Sequence, residues 1–190
     1  MGISQQIGAS SLIKSGVCTN ATRPASPYEG QVIYETDTDK VFVYNGSAWK
    51  QIPTAATAGA ILQVKNMSTA TNVSNATNSF VTSAITLSIT PSATSSTILV
   101  SGSTGYIAKG AYRTWMDMAI FRDSSNIAQM GYLFDQSTTA TAASFSGQGF
   151  SYLDGPATTS SVTYSIRFLS ALGGNLEMGG GHMTLMEIAG

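Results

Sequence analysis

YRTWMDMAIFR, residues 112–122, is the stretch on which the fold turns. It has no helical period with caps, and its β-branched, aromatic and methionine content suits a strand. Successive side chains of a strand point to opposite faces. Trp115, Ala119 and Phe121 then share one face with Asp117, and Met116, Met118 and Ile120 share the other. A strand with one solvated face shows polar residues there. Here both faces are largely apolar, so both need cover. The first reading puts one face inside a sandwich and the Met116, Met118 and Ile120 side against a neighbouring subunit. The rival reading covers it with a loop of the same chain.

Asp117 sits between two methionines, where an unpaired carboxylate is costly. Arg113, four residues away on the same face, is one candidate partner. Arg167, in VTYSIRFL, is the other. A buried Asp–Arg pair would fix the register between subunits. A solvated strand end is the plainer alternative.

Strand candidates continue on both sides of this stretch. Ile85, Leu87 and Ile89 alternate with Thr86 and Ser88, and Pro91 ends that run. Residues 61–67, 80–89, 97–101, 126–133, 144–153, 162–169 and 182–188 follow the same style, separated by Gly- and Ser-rich turns. The spacing is that of a sandwich or barrel, and about eight strands suit a double-sheet jelly roll. The expected fold is all-β: an antiparallel jelly-roll sandwich over residues 61–190.

Before it lies a different region. Residues 1–27 carry Gly, Ser and two prolines with weak periodicity, and read as an extended docking arm. Residues 28–52 form a small β-hairpin module: QVIYE and KVFVY are strand formers, and Thr36-Asp37-Thr38-Asp39 between them is turn chemistry. Asn45-Gly46 gives a second tight turn before Trp49. Such a module is marginal alone and should pack on something else. Residues 53–60, PTAATAGA, read as a linker.

Charged residues make up only 10% of the chain, against ~25% in ordinary soluble domains. Ser, Thr, Asn, Gln and Gly replace them. Such a surface hydrates but repels little, which suits a chain docked against other chains. The nine Lys and Arg are scattered singly, so no basic stripe offers itself to nucleic acid. No stretch approaches the ~20 apolar residues of a membrane span. The N-terminus lacks the charged start and apolar run of a signal peptide, so assembly in a cytoplasm is expected.

The chemistry-bearing residues are sparse. Cys18 is the only cysteine, so no intrachain disulfide or thiolate cluster can form. His182 is the only histidine and sits after three glycines, with no nucleophile elbow in the chain. Asp37-Thr38-Asp39 lacks the Gly and distal Glu of a calcium loop. Glu29, Glu35, Asp37 and Asp39 cluster at the hairpin, where turn formation explains them. The expectation is no catalytic residue, no cofactor and no metal.

Residues 23–49, RPASPYEGQVIYETDTDKVFVYNGSAW, resemble a recurring element of phage tail-fibre and other virion proteins. The shared pattern is Arg-Pro, Glu-Gly-Gln, Glu-Thr-Asp-Thr, then a Val-rich strand ending Tyr-Asn-Gly-x-x-Trp. Residues 61–190 look like the compact C-terminal domains of phage fibres with a C1q- or tumour-necrosis-factor-like jelly roll, and HMTLMEI is similar to their closing strand. The resemblance implies a non-enzymatic virion protein of homotrimeric build in that family's manner. It implies a short fibre or knob on tail or collar, docked through residues 1–52, with host glycan or protein as a partner. No coiled coil, collagen repeat or shaft is present. That departure raises a head decoration protein as the alternative, and a capsular polysaccharide depolymerase is a further one.

Overall fold

A computed structural model describes residues 16–53, 56–110, 114–135 and 143–190. The chain divides into two units, Met1–Ala56 and Thr57–Gly190.

In the first unit, β1 (Gly16–Cys18), β2 (Val32–Glu35), β3 (Lys40–Tyr44) and β4 (Trp49–Ile52) form one sheet in that order. β1 runs parallel to β2, and the others are antiparallel. Several residues of the Arg23–Trp49 pattern have local tasks here. The Arg23 guanidinium donates to Glu35 and lies 4.5 Å over the Phe42 ring. The Thr38 hydroxyl donates to the same carboxylate at 2.8 Å. Asp37 accepts the Asn20 amide, and the Asn45 side chain accepts the amides of Ser47 and Ala48. Gly46 takes a φ of +86°, open to glycine at no steric cost. The Tyr44 and Trp49 rings meet at 5.4 Å. The motif is therefore the scaffold of the module.

The second unit carries β5 (Ile61–Thr69), β6 (Val73–Asn75), β7 (Val81–Ile89), β8 (Thr97–Thr104), β9 (Ile107–Lys109) and β10 (Thr114–Arg122). After them come β11 (Ser125–Asp135), β12 (Ala143–Phe145), β13 (Gly149–Asp154), β14 (Val162–Ser170), β15 (Leu176–Met178) and β16 (Gly181–Ile188). A back sheet has the order β11-β10-β14-β7 and a front sheet the order β13-β8-β16-β5. A small roof sheet has the order β12-β9-β15-β6.

The roof repeats the front sheet strand for strand: each of its members continues a front strand after a break of two or three residues. Counting each broken strand once leaves eight long strands among the described residues. Successive strands cross between front and back, except for the β10–β11 hairpin. This is jelly-roll connectivity in an antiparallel sandwich, as the strand spacing predicts.

All four breaks fall on one line across the sheet. There Gly105 donates to the Gly180 carbonyl, Gly179 to the Tyr106 carbonyl at 2.7 Å, and Thr104 to the Gln148 carbonyl at 2.9 Å. A Cβ on Gly180 would collide with the Thr69 carbonyl, and one on Gly147 with the Thr104 carbonyl. Glycine at this line lets neighbouring backbones close up, and the sheet bends over the core. Residues 144–153, read as one strand in the sequence, are split by this bend into β12 and β13.

The core gathers Ile85, Ile89, Ile98, Val100, Tyr164, Ile166, Phe168, Met183 and Leu185, with Ile107, Leu176 and Met178 contributed by the roof. Met116, Met118 and Ile120 are in it too, each no more than 2% exposed. They pair in register with Ser170, Phe168 and Ile166 and face the sandwich interior. The expectation that a neighbouring subunit covers this side is thus corrected. The two apolar faces of the strand look alike in sequence, and only the pairing with β14 tells inside from outside.

The opposite face of β10 is covered from within the chain at one end. The Arg167 guanidinium lies 4.3 Å over the Phe121 ring, and Phe80 packs on it at 5.2 Å. Arg167 also donates to the Ser165 hydroxyl and the Asp123 carbonyl. Asp117 takes a different partner, the Gln129 amide. Arg167 is therefore not its ion pair, and Arg113 lies outside the described residues. Partial burial raises the Asp117 carboxyl above its usual range.

Candidate interaction surface

Cross-strand pairing places residues of equal register on one face. On the outward face of the front sheet this produces ordered rows. The first is Gly149, Ser103, His182 and Ser68; the second is Ser151, Ser101, Thr184 and Asn66. The third is Leu153, Leu99, Met186 and Val64. Ile188 and Ile61 follow at the far end. The outward face is thus hydroxyl and amide toward the bend, and aliphatic away from it.

The aliphatic end is open. Ile61, Val64 and Leu153 are each more than half exposed, and Leu62 is exposed beside them. Leu99, Met186 and Ile188 are half-buried. Four strands at about 4.8 Å spacing make this a patch of roughly 300–400 Å². A contiguous patch of that size matches the largest apolar patch of an ordinary monomer, which is often a functional one. Lys65, on the neighbouring edge position, points to the other side of its strand from Val64.

Two polar devices hold the sheet that presents this patch. Asp154, at the end of β13, accepts from Arg122 Nη1 with both carboxylate oxygens, at 2.9 and 2.8 Å. It also accepts the Tyr164 hydroxyl at 2.6 Å. The pair and the phenol tie front sheet to back sheet. Burial, reinforced by the bond to Asp154, pushes the Tyr164 phenol far above its ordinary value. Glu187, inward on β16, is fully buried and bonded to Ser92 and Gln63.

His182 lies in the polar row with its Nδ1 3.3 Å from the Ser103 hydroxyl. Its cross-strand neighbours are Ser68 and Ser103, so the carboxylate of a catalytic triad is not beside it. Cys18 is a half-buried free thiol. Among the described residues no group of three or more His, Cys, Asp or Glu is placed to hold a metal. No helix among them is long and apolar enough to cross a membrane.

Sequence reasoning missed the aliphatic row. β16 reads His182-Met183-Thr184-Leu185-Met186-Glu187-Ile188, and its buried set contains the carboxylate while its outward set contains Met186 and Ile188. A usable signal is Leu99 between Ile98 and Val100: three aliphatics in succession put one on the outside of a strand.

No family model matches the chain. No curated protein matches it in sequence. Among solved structures it is similar to the VP2 subviral particle of infectious bursal disease virus, at 10% identity and a TM-score of 0.43, over 88% of this chain and 41% of that one. It is also similar to the structure of the Gx strain of that virus, at 10% identity and a TM-score of 0.39, over 80% of this chain and 42% of that one. The chain spans about two fifths of the length of these neighbours.

Proposed function

We propose that the chain is a non-enzymatic structural protein of a bacteriophage particle, working as a small oligomer. The reading is a short trimeric fibre or knob on tail or collar, with its outer end bound to the host surface. The observation that carries self-association is the outward row Leu153, Leu99, Met186 and Val64 on an otherwise uncharged sheet face. A neutral aliphatic patch gains most by meeting another of its kind. The low charge of the whole chain supports the same view, since it leaves little repulsion between copies. The phage attribution is supported by residues 23–49, whose pattern resembles virion proteins. A second reading, a head decoration protein, is favoured by the same neutral aliphatic row, which fits a seam between head subunits equally well.

Cryo-electron microscopy of particles that incorporate the chain tests both. Density for three copies at the tail or collar supports the first reading. Hundreds of copies on the head support the second. Absence from purified particles overturns both.

A further inference from the structure

The roof carries a side-chain cluster that neither the sandwich core nor the aliphatic row uses. By register, Ser74, Glu177 and Ala108 form one outward row, while Ile107, Leu176 and Met178 belong to the core. Two residues along, on the same face, Tyr106 lies beside Gly179, whose amide donates to the Tyr106 carbonyl at 2.7 Å. A Cβ on Gly179 would stand 2.7 and 2.9 Å from Cδ1 and Cε1 of the Tyr106 ring, so the ring lies directly over that glycine. Gly179 is buried beneath it. The Tyr106 hydroxyl donates to Glu177 Oε1. The Asn72 side-chain amide donates to that hydroxyl at 2.6 Å and to the same carboxylate oxygen at 3.3 Å. Tyr106 is still 42% exposed.

An aromatic ring can serve simply as cover for a glycine in a strand. Cover alone needs no hydroxyl, and phenylalanine would supply it. Here the hydroxyl is bonded to two partners, which holds the ring in one orientation before anything binds. The product is a flat aromatic face, backed by backbone on one side and open on the other. Its rim is polar. Glu177 Oε2 and the Asn72 side-chain carbonyl are not consumed by these bonds. Ser74 adds a hydroxyl one strand away, and Ala108 is too small to fill the space beside Glu177.

These parts select a ligand chemistry. A flat ring face accepts a flat apolar ring or the C–H face of a pyranose. An apolar ligand would strip water from the rim groups and give them nothing in return. A pyranose brings both an apolar face and a ring of hydroxyl donors. Glu177 is anionic, and by register no Lys or Arg shares the outward face of β6, β9 and β15. Acidic sugars are therefore repelled.

We infer that the Tyr106 face is a binding site for one neutral pyranose ring, stacked on the phenol with its hydroxyls donating to Glu177 and Asn72. The site lies wholly within the C-terminal unit and needs no second copy. It is separated by the length of β5 from Gly59 and Ala60, which are bonded to Ala189 where the chain enters that unit. It stands whether or not the chain self-associates or sits on a particle.

Nuclear magnetic resonance titration of the full chain tests it. The probes are the methyl glycosides of glucose, galactose and mannose, each beside the methyl glycoside of its own uronic acid. One stacked ring with a few polar partners binds weakly, with a Kd of roughly 1–10 mM. At least one neutral glycoside should shift the Gly179 backbone amide and the Asn72 side-chain amide. Its uronic acid counterpart should bind about five- to tenfold more weakly at low salt. Tyr106→Ala should remove the shifts, and Glu177→Gln should bring the two affinities together. No shift at either amide from any neutral probe up to about 50 mM overturns the inference. So does a uronic acid that binds as tightly as its neutral parent, or a shift that survives Tyr106→Ala. If that variant does not fold, the comparison of neutral and acidic probes on the unaltered chain decides.

Discussion

Glu187 and Ser92 are joined twice, the Ser92 amide donating at 2.7 Å and its hydroxyl at 2.6 Å to the same carboxylate oxygen. Gln63 donates to the other oxygen at 2.5 Å. Burial works to raise this carboxyl, but the donors outweigh it and hold it at about 2, below the ordinary 4.5. A group depressed in the folded state stabilises fully above its unfolded value and loses that contribution as pH falls through its folded value. The urea midpoint should therefore drop between pH 4.5 and about 2. Glu187→Gln should flatten that part of the profile and cost about 1–3 kcal/mol at neutral pH. An unaltered acid profile in the variant would count against the account.

Met118 and Leu153 separate folding from assembly. Met118→Ala opens a cavity in the sandwich core and should cost about 2–5 kcal/mol in denaturant unfolding. Leu153→Asp with Met186→Asp acts on the outward row. It should leave the denaturant midpoint nearly unchanged while sedimentation shifts to the monomer. The reverse pattern would place the joint elsewhere.

Gly180→Ala should prevent the sheet from bending, because the new methyl group meets the Thr69 carbonyl. Loss of soluble protein, or destabilisation of about 3 kcal/mol or more, is expected. Gly149→Ala is the control: its Cβ would lie 3.9 Å from the Gly102 carbonyl, an ordinary contact. Circular dichroism melts of the two variants decide it.

Arg23→Ala leaves the fully buried Glu35 carboxylate without its cation. The hydrogen bond from Arg23 is the main reason that carboxyl is held below its usual range, with Thr38 helping. Hydrogen exchange should rise across β2 and β3 and stay unchanged in β14 and β16. Exchange rising in both units together would show that they unfold as one.

Much of the fold could be read from alternation. Ile85 and Ile89 are buried as their spacing requires, and the strands at 97, 162 and 182 begin within a residue of where the sequence places them. The strands within residues 28–52 were legible because their turns carry Asp, Asn and Gly at positions that need them, but β1 at Gly16–Cys18, inside the stretch read as an extended arm, joins their sheet and three residues were too few to show it. The roof was not. β6, β9 and β15 have three residues each, too few for alternation to show, and they lie among glycines that read as turns. The outward apolar face was misplaced for another reason. Met116, Met118 and Ile120 gave the most apolar pattern, but hydrophobicity alone does not say which side of a strand is covered. Leu99, Met186 and Val64 come from three separate strands, so their row exists only once the strands pair.

The bent sheet also gives the C-terminal unit a direction. β5 leaves Ile61 and reaches the glycine line only at its far end, while β16 returns to finish beside Ile61. The chain therefore comes in and goes back at one pole, and the roof crowns the other. The roof is a cap of hydrogen-bonded backbone carrying Asn72, Tyr106 and Glu177, bonded to one another through their side chains. Such a crown is a stiff tip, whose side chains can be exchanged one by one without loosening the stem beneath.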